Sequence, residues 1–328
     1  MKSVLLFVLK AGISGALIAF FLHRFEWADL QAAFESADPG LLLGAVACFL
    51  ASNLLGALQW RELLKAQEIH LPLPKVVSLY FVGVFFNNFL VSNIGGDAVR
   101  VYDLKRMTGK GAAGFAATFA DRFLGLFVLI LFSVIAYAMS PPLWDAALFT
   151  PIGALAAALA GILCFGFSRR LSGVVLRVGN RLLPSAVSSL LENIQGAFIL
   201  YRRAYGLMAR VGVLALGVQV CRVGVYYTVG RSLSLDIGFA THFVFIPLIA
   251  VVAALPISFG GIGVRENLGA VLYGQAGVDP AGALAMMFLG YLCGIAASLV
   301  GGVQFAMNRS SSAGEDGSDG GDSDPVLE

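Results

Sequence analysis

Two short blocks hold most of the groups in this chain that could do chemistry. The first is Asn87-Asn88-Phe89-Leu90-Val91-Ser92-Asn93-Ile94-Gly95-Gly96-Asp97-Ala98-Val99-Arg100, which sets two adjacent amides, a hydroxyl, a glycine pair, an acid and an arginine beside a long apolar run. The second, Pro256-Ile257-Ser258-Phe259-Gly260-Gly261-Ile262-Gly263-Val264-Arg265-Glu266, repeats serine, a glycine pair, valine and arginine in the same order about 165 residues later. Open glycine backbone, a helix terminus and an arginine together suit an anion such as a phosphate headgroup. The competing use is purely internal: Arg100 and Arg265 pair with Asp97, Asp121 and Glu266 to lock helices. Both uses are expected, with at least one arginine left for a substrate.

The surroundings make these groups expensive. Of 328 residues, 58% are hydrophobic and 13% charged, against roughly a quarter charged in soluble domains. The apolar runs are long and continuous, whereas barrel strands would alternate over segments of about ten residues. An all-α integral membrane protein is expected, with no sizeable soluble domain. A polar, glycine-broken segment at membrane depth persists only where protein or a water-filled cavity satisfies it.

Net charge is +2, but residues 310–328 carry six acids and no Lys or Arg, leaving 22 cations against 14 acids, a net +8, in residues 1–309. That excess fits the positive-inside bias of cytoplasmic loops and contact with anionic headgroups. Cys48, Cys164, Cys221 and Cys293 stand alone in apolar runs, and His23, His70 and His242 are scattered. Neither disulfide nor metal is indicated.

In chain order, residues 3–22 form a first span, expected to be retained because Lys10 interrupts the run and no small-residue cleavage site follows. Residues 40–60 form a second, with Gly40 and Gly44 at a helix-packing spacing and Trp60-Arg61 at a cytoplasmic end. Val76 to Leu90 is apolar but short and runs into Arg100, Lys105, Arg106 and Lys110; with both flanks cytoplasmic it fits a re-entrant hairpin, and otherwise a full span with an interfacial glycine turn. Residues 112–139 contain Asp121-Arg122, neighbours about 100° apart on a helix, so each needs a partner elsewhere, with Asp121 turned inward and snorkelling as the simple alternative for Arg122. After an outer turn at Pro141-Pro142 and Trp144, residues 151–167 return. Arg169 to Arg210 reads as one or two amphipathic helices on the inner leaflet, or a solvated loop. Residues 211–230 span with Arg222 inside the run, 239–257 head inward to the second block, and 281–306 form the last span, with Gly290 and Gly294 at packing spacing. Ser310 onward is a low-complexity acidic tail, expected to be disordered.

This gives six full spans plus two broken, re-entrant hairpins, eight membrane segments in all, with half one about 1–140 and half two about 151–307. With both termini cytoplasmic in the inner membrane, the first hairpin enters from inside and the second from outside. That is a pseudo-symmetric inverted repeat with a shared midplane site.

Four blocks in this order resemble the flippase-like membrane domain of the lysylphosphatidylglycerol synthases (multiple peptide resistance factors) and their stand-alone relatives. They are Gln59-Trp60-Arg61-Glu62-Leu63-Leu64, Asn87-Asn88 through Gly95-Gly96-Asp97 to Arg100, Asp121-Arg122 with Gly125, and Leu255-Pro256 through Gly260-Gly261 to Arg265-Glu266. The resemblance covers most of residues 1–307. Members usually carry a proline where Val91 stands. An acidic tail also takes the place of the aminoacyl-transfer domain, so no synthase activity is expected. What the resemblance implies is movement of a lipid across the bilayer.

The expected function is therefore lipid translocation, with a headgroup near Arg100, Arg265, Asn87 and Asn88. The wider substrate site takes in Ser92, Gly95, Gly96, Asp97, Asp121, Arg122, Pro256, Ser258, Gly260, Gly261 and Glu266. No Gly-x-x-x-x-Gly-Lys-Ser/Thr motif occurs, so transport would be passive or ion-coupled, with Asp97, Asp121 and Glu266 as proton carriers. The partners expected are membrane lipids, with no nucleic acid, cofactor or catalytic residue. One alternative is a membrane enzyme on a lipid-linked substrate, with Asp97 or Glu266 as general base. Another is a non-transporting scaffold for lipid-biosynthesis enzymes, whose interior would be dry and fully paired.

Overall fold

The computed structural model of the protein describes residues 31, 34–89, 95–143, 146–167, 169–182, 204–254 and 261–315. Among them the regular structure is helical: α1 (Pro39–Ala66), α2 (Leu73–Phe89), α3 (Gly95–Thr108), α4 (Gly111–Ala138), a 3-10 turn (Pro141–Leu143), α5 (Ala146–Phe167), α6 (Arg169–Leu182), α7 (Tyr205–Ser232), α8 (Phe239–Ala254), α9 (Val264–Gln275) and α10 (Pro280–Glu315). The expected first span, residues 3–22, lies outside the described residues.

Local chemistry sets the helix ends. The Asp38 carboxylate accepts from the amides of Gly40 at 2.7 Å and Leu41 at 3.2 Å, with Pro39 at the first helical position of α1, which satisfies amides that would otherwise be orphaned. At α9 the Glu266 carboxylate reaches back to the Gly263 amide at 2.7 Å. Gly261 and Gly263 there have φ of +79° and +82°, a left-handed conformation that a side chain would strain.

Four described helices, α1, α4, α7 and the Pro280–Met307 part of α10, are long and apolar enough to cross a membrane. They correspond to the expected spans 40–60, 112–139, 211–230 and 281–306. The expected span 151–167 falls in α5, whose apolar stretch is shorter, Leu148–Gly161. The last helix continues to Glu315, six residues into the segment expected to be disordered. Likewise α7 begins at Tyr205, so Arg210, expected in a surface helix or loop, belongs to the spanning helix and pairs with Glu62 at 3.6 Å. The described parts of the first glycine block lie at the end of α2 and the start of α3, and those of the second lead into α9; α2 packs on α3 and α8 on α9.

Helix α1 is the hub, touching α2, α4, α7 and α10. One apolar cluster gathers Trp60, Leu63, Leu64, Tyr80, Leu104 and Ala117. A second gathers Val229, Phe245, Tyr273, Met286 and Met287. Polar groups lie inside, among them Gln59, Asp97, Arg100, Asp121 and Gln219, while Leu43, Val213, Phe149 and Val303 face outward. Hydrocarbon solvates the outer face, so close packing must hold the bundle together. Glycines supply it. Gly290 and Gly294 receive the rings of Tyr226 and Phe49, and Gly301 lies directly on the Phe81 backbone of α2.

Gly301→Ala would drive its methyl into the Phe81 carbonyl, and a loss of about 2–3 kcal/mol is expected. Gly161→Ala, which meets open space, should leave thermal melting in detergent unchanged or slightly raised.

Candidate functional site

The site is built around a buried arginine. Gly96 brings α3 onto α2 so closely that a Cβ there would strike the Gly83 carbonyl and the Asn87 amide nitrogen. The Asn87 side-chain oxygen accepts from the Gly96 amide at 2.9 Å, satisfying the start of α3. Asp97 and Arg100 follow, one turn apart on one face. Arg100 is 3% exposed, and its Nη2 lies 3.5 Å from both Asp97 Oδ1 and Asp121 Oδ2. Its guanidinium is flanked by the rings of Trp60 at 4.4 Å and Tyr80 at 4.8 Å. Such desolvated cation–π contacts are worth about 2 kcal/mol each.

The surrounding groups are fixed in turn. Gln59 donates to Asp121 Oδ1 at 3.0 Å and to its carbonyl at 3.3 Å, and the Trp60 indole donates to Thr118 at 3.1 Å. Asp121 thus faces inward, as its sequence position suggested. Its neighbour Arg122 pairs with Asp97 while keeping its side chain 42% exposed. Helices α1, α2, α3 and α4 meet at this one knot.

Two cavities adjoin it. One, of about 370 Å³, is lined by Gln59, Tyr80, Asp97, Arg100, Asp121, Arg122 and Arg222, among others. The other, of about 210 Å³, is lined by Asn87 and Asn88 of the first block, Arg265 of the second, and Arg222, Tyr226, Ile246, Met287 and Tyr291. Asn87, Leu129, Gln219, Arg222 and Ala254 line both. The structure therefore brings the two sequence blocks to one cavity, with Arg265 over the Tyr291 ring at 4.9 Å. Arg100, expected beside Arg265, lines the other cavity and is engaged by two aspartates. Glu266 caps α9, one of its oxygens being buried without a partner among the described residues. Ser92, Pro256, Ser258 and Gly260 lie outside the described residues, while Gly95 opens α3 and Gly261 supplies a left-handed turn.

Two residues absent from the expected site sit where the cavities meet. Gln219 and Arg222 are one turn apart on α7, and both line both cavities. The signal was present in the sequence: two polar residues at helical spacing inside an apolar run. Neither belongs to the repeated blocks.

Helices long and apolar enough to span, outward-facing apolar side chains and a cavity lined by charged groups define a multi-pass helical membrane protein. The match to known families is specific. The chain belongs to the family described as the lysylphosphatidylglycerol synthase TM region, whose model matches residues 7–302. It is similar to a UPF0104 membrane protein of Pyrococcus horikoshii, 25% identical over 338 residues, covering 94% of this chain and 98% of that protein. It is also similar to two UPF0104 membrane proteins of Methanothermobacter thermautotrophicus, one 24% identical, covering 84% of this chain and 85% of that protein, the other 26% identical, covering 77% and 80%.

Breaking a buried ion pair from one side costs about 3–5 kcal/mol. Arg100→Met and Asp121→Asn should each lower the melting temperature sharply. The double variant should fall short of the summed losses by about 1–3 kcal/mol, measured by a double-mutant cycle.

Proposed function

We propose that the protein is a lipid translocase that moves a polar-headed, phosphate-bearing lipid between leaflets through the cavities between its two glycine-interrupted helix pairs. The observation that carries this reading is that Asn87 and Asn88 of the first block and Arg265 of the second line one cavity. That cavity combines arginines and amides with apolar walls from Ile246, Ile249 and Met287. Such a lining suits a headgroup with its acyl chains left toward hydrocarbon. We read α2–α3 and α8–α9 as hairpins entering from opposite faces, an inverted repeat whose two arms converge on the site.

Family membership supports a lipid substrate, because the family's name ties this membrane region to lysylphosphatidylglycerol synthesis. The chemistry we assign is binding and passage, not bond-making. Cavities of this kind weigh against a scaffold, which needs only a closed, fully paired interior.

The test is reconstitution into liposomes carrying fluorescent lipids of different headgroups in one leaflet. Wild type should move phosphate-bearing lipids faster than protein-free vesicles. Arg265→Ala should slow that movement about tenfold or more, the worth of a hydrogen bond to a charged group, with its melting temperature confirming the fold. Equal movement by wild type and empty vesicles across the lipid panel would overturn the reading.

A further inference from the structure

We infer that Arg222 and Gln219 of α7 form the headgroup-recognition element of this site: Arg222 takes the phosphate, and Gln219 reads a hydrogen-bond donor beside it. The inference deepens the translocase reading and rests on it for its place in transport.

Charge is the first observation. The larger cavity is lined by three arginines, Arg100, Arg122 and Arg222, and two aspartates, Asp97 and Asp121. Both aspartates are engaged, Asp97 by Arg100 and Arg122 and Asp121 by Arg100 and Gln59. Arg222 makes no ion pair among the described residues; its Nε donates to the Ser52 hydroxyl at 3.3 Å. The smaller cavity adds Arg265 and, among the described residues, no carboxylate to its lining. Among the described lining residues one positive charge is therefore in excess in the first cavity, and Arg222 is common to both. A cation at membrane depth needs an anion, and an arginine fork is matched to phosphate oxygens.

Gln219 is the second, independent observation. It is 1% exposed, and its amide nitrogen is used on the Gly125 carbonyl at 3.1 Å. Its Oε1 is buried without a partner among the described residues. A buried acceptor left open destabilises the protein unless something donates to it. A hydroxyl or ammonium hydrogen next to a lipid phosphate supplies that donor, and a quaternary ammonium headgroup does not. The site should then prefer a phosphodiester bearing a hydroxylated or primary-amine headgroup over a choline headgroup of the same phosphate chemistry.

The experiment is binding of short-chain lipids to the purified full-length protein in uncharged detergent, read by native mass spectrometry. The ligands are phosphatidylglycerol, phosphatidylcholine, a phosphate-free glycolipid of the same chains, and inorganic phosphate. Wild type should bind phosphatidylglycerol best, and inorganic phosphate alone should compete only if the site takes a free anion. Arg222→Gln should weaken phospholipid binding about tenfold or more and leave the glycolipid unchanged. Arg222→Lys should recover part of it, and surface Arg177→Gln should match wild type. Gln219→Leu should narrow the preference for phosphatidylglycerol over phosphatidylcholine. Unchanged phospholipid binding by Arg222→Gln with a normal melting temperature would overturn the inference, whether or not wild type translocates lipid. If wild type translocates nothing yet binds phospholipid through Arg222, the translocase reading fails and the recognition element stands.

Discussion

A guanidinium in a low-dielectric interior must be answered by charge and by hydrogen bonds, and that requirement at Arg100 organises much of the bundle. An unpaired buried charge costs several kcal/mol, whereas a pair with good partners approaches break-even. Arg100 obtains its partners from four helices: Asp97 on its own helix α3, Asp121 on α4, and the flanking rings of Trp60 on α1 and Tyr80 on α2. Small residues make the meeting geometrically possible. Gly83 and Gly96 let α2 and α3 touch backbone to backbone, and Gly56 leaves room for the Tyr80 ring. Charge satisfaction and close packing are one constraint here, because the partners come within reach only where side chains are absent.

The proposed function draws on what this knot leaves over. Two aspartates are consumed by Arg100, Arg122 and Gln59, so the surplus positive charge falls on α7, at the junction of two cavities. A fixed surplus cation beside apolar walls favours an amphiphile with an anionic head. Arg100 is engaged by two aspartates at the meeting of four helices, whereas Arg222 and Arg265 line the smaller cavity. Sequence alone groups Arg100 with Arg265, since both follow a glycine pair, and leaves Arg222 as a cation inside an apolar run.

The long apolar helices and the inward turn of Asp121 were legible because they rest on local properties: run length and the 100° step of a helix. Asn87's capping of Gly96 was half legible, as the two lie in one block nine residues apart. The pairing of Arg122 with Asp97 was not, because proximity across 25 residues depends on how α3 folds back onto α4. Gln219, and the place of the intramembrane cation Arg222 at the cavities, were not legible for a related reason. Internal repetition selects the positions that the two halves share, whereas the cavity is also closed by α7, whose contribution has no counterpart in the repeat.

The central claim is that a lipid phosphate occupies the space between Arg222 and the two glycine blocks. Its most direct test is photocrosslinking in proteoliposomes with a phospholipid carrying a diazirine at the headgroup, followed by peptide mapping. Adducts on the Asn87-Asn88 and Gln219–Arg222 segments, displaced by excess unlabelled phospholipid, are predicted. Adducts confined to outward-facing positions such as Leu43, Val213 and Val303 would contradict it.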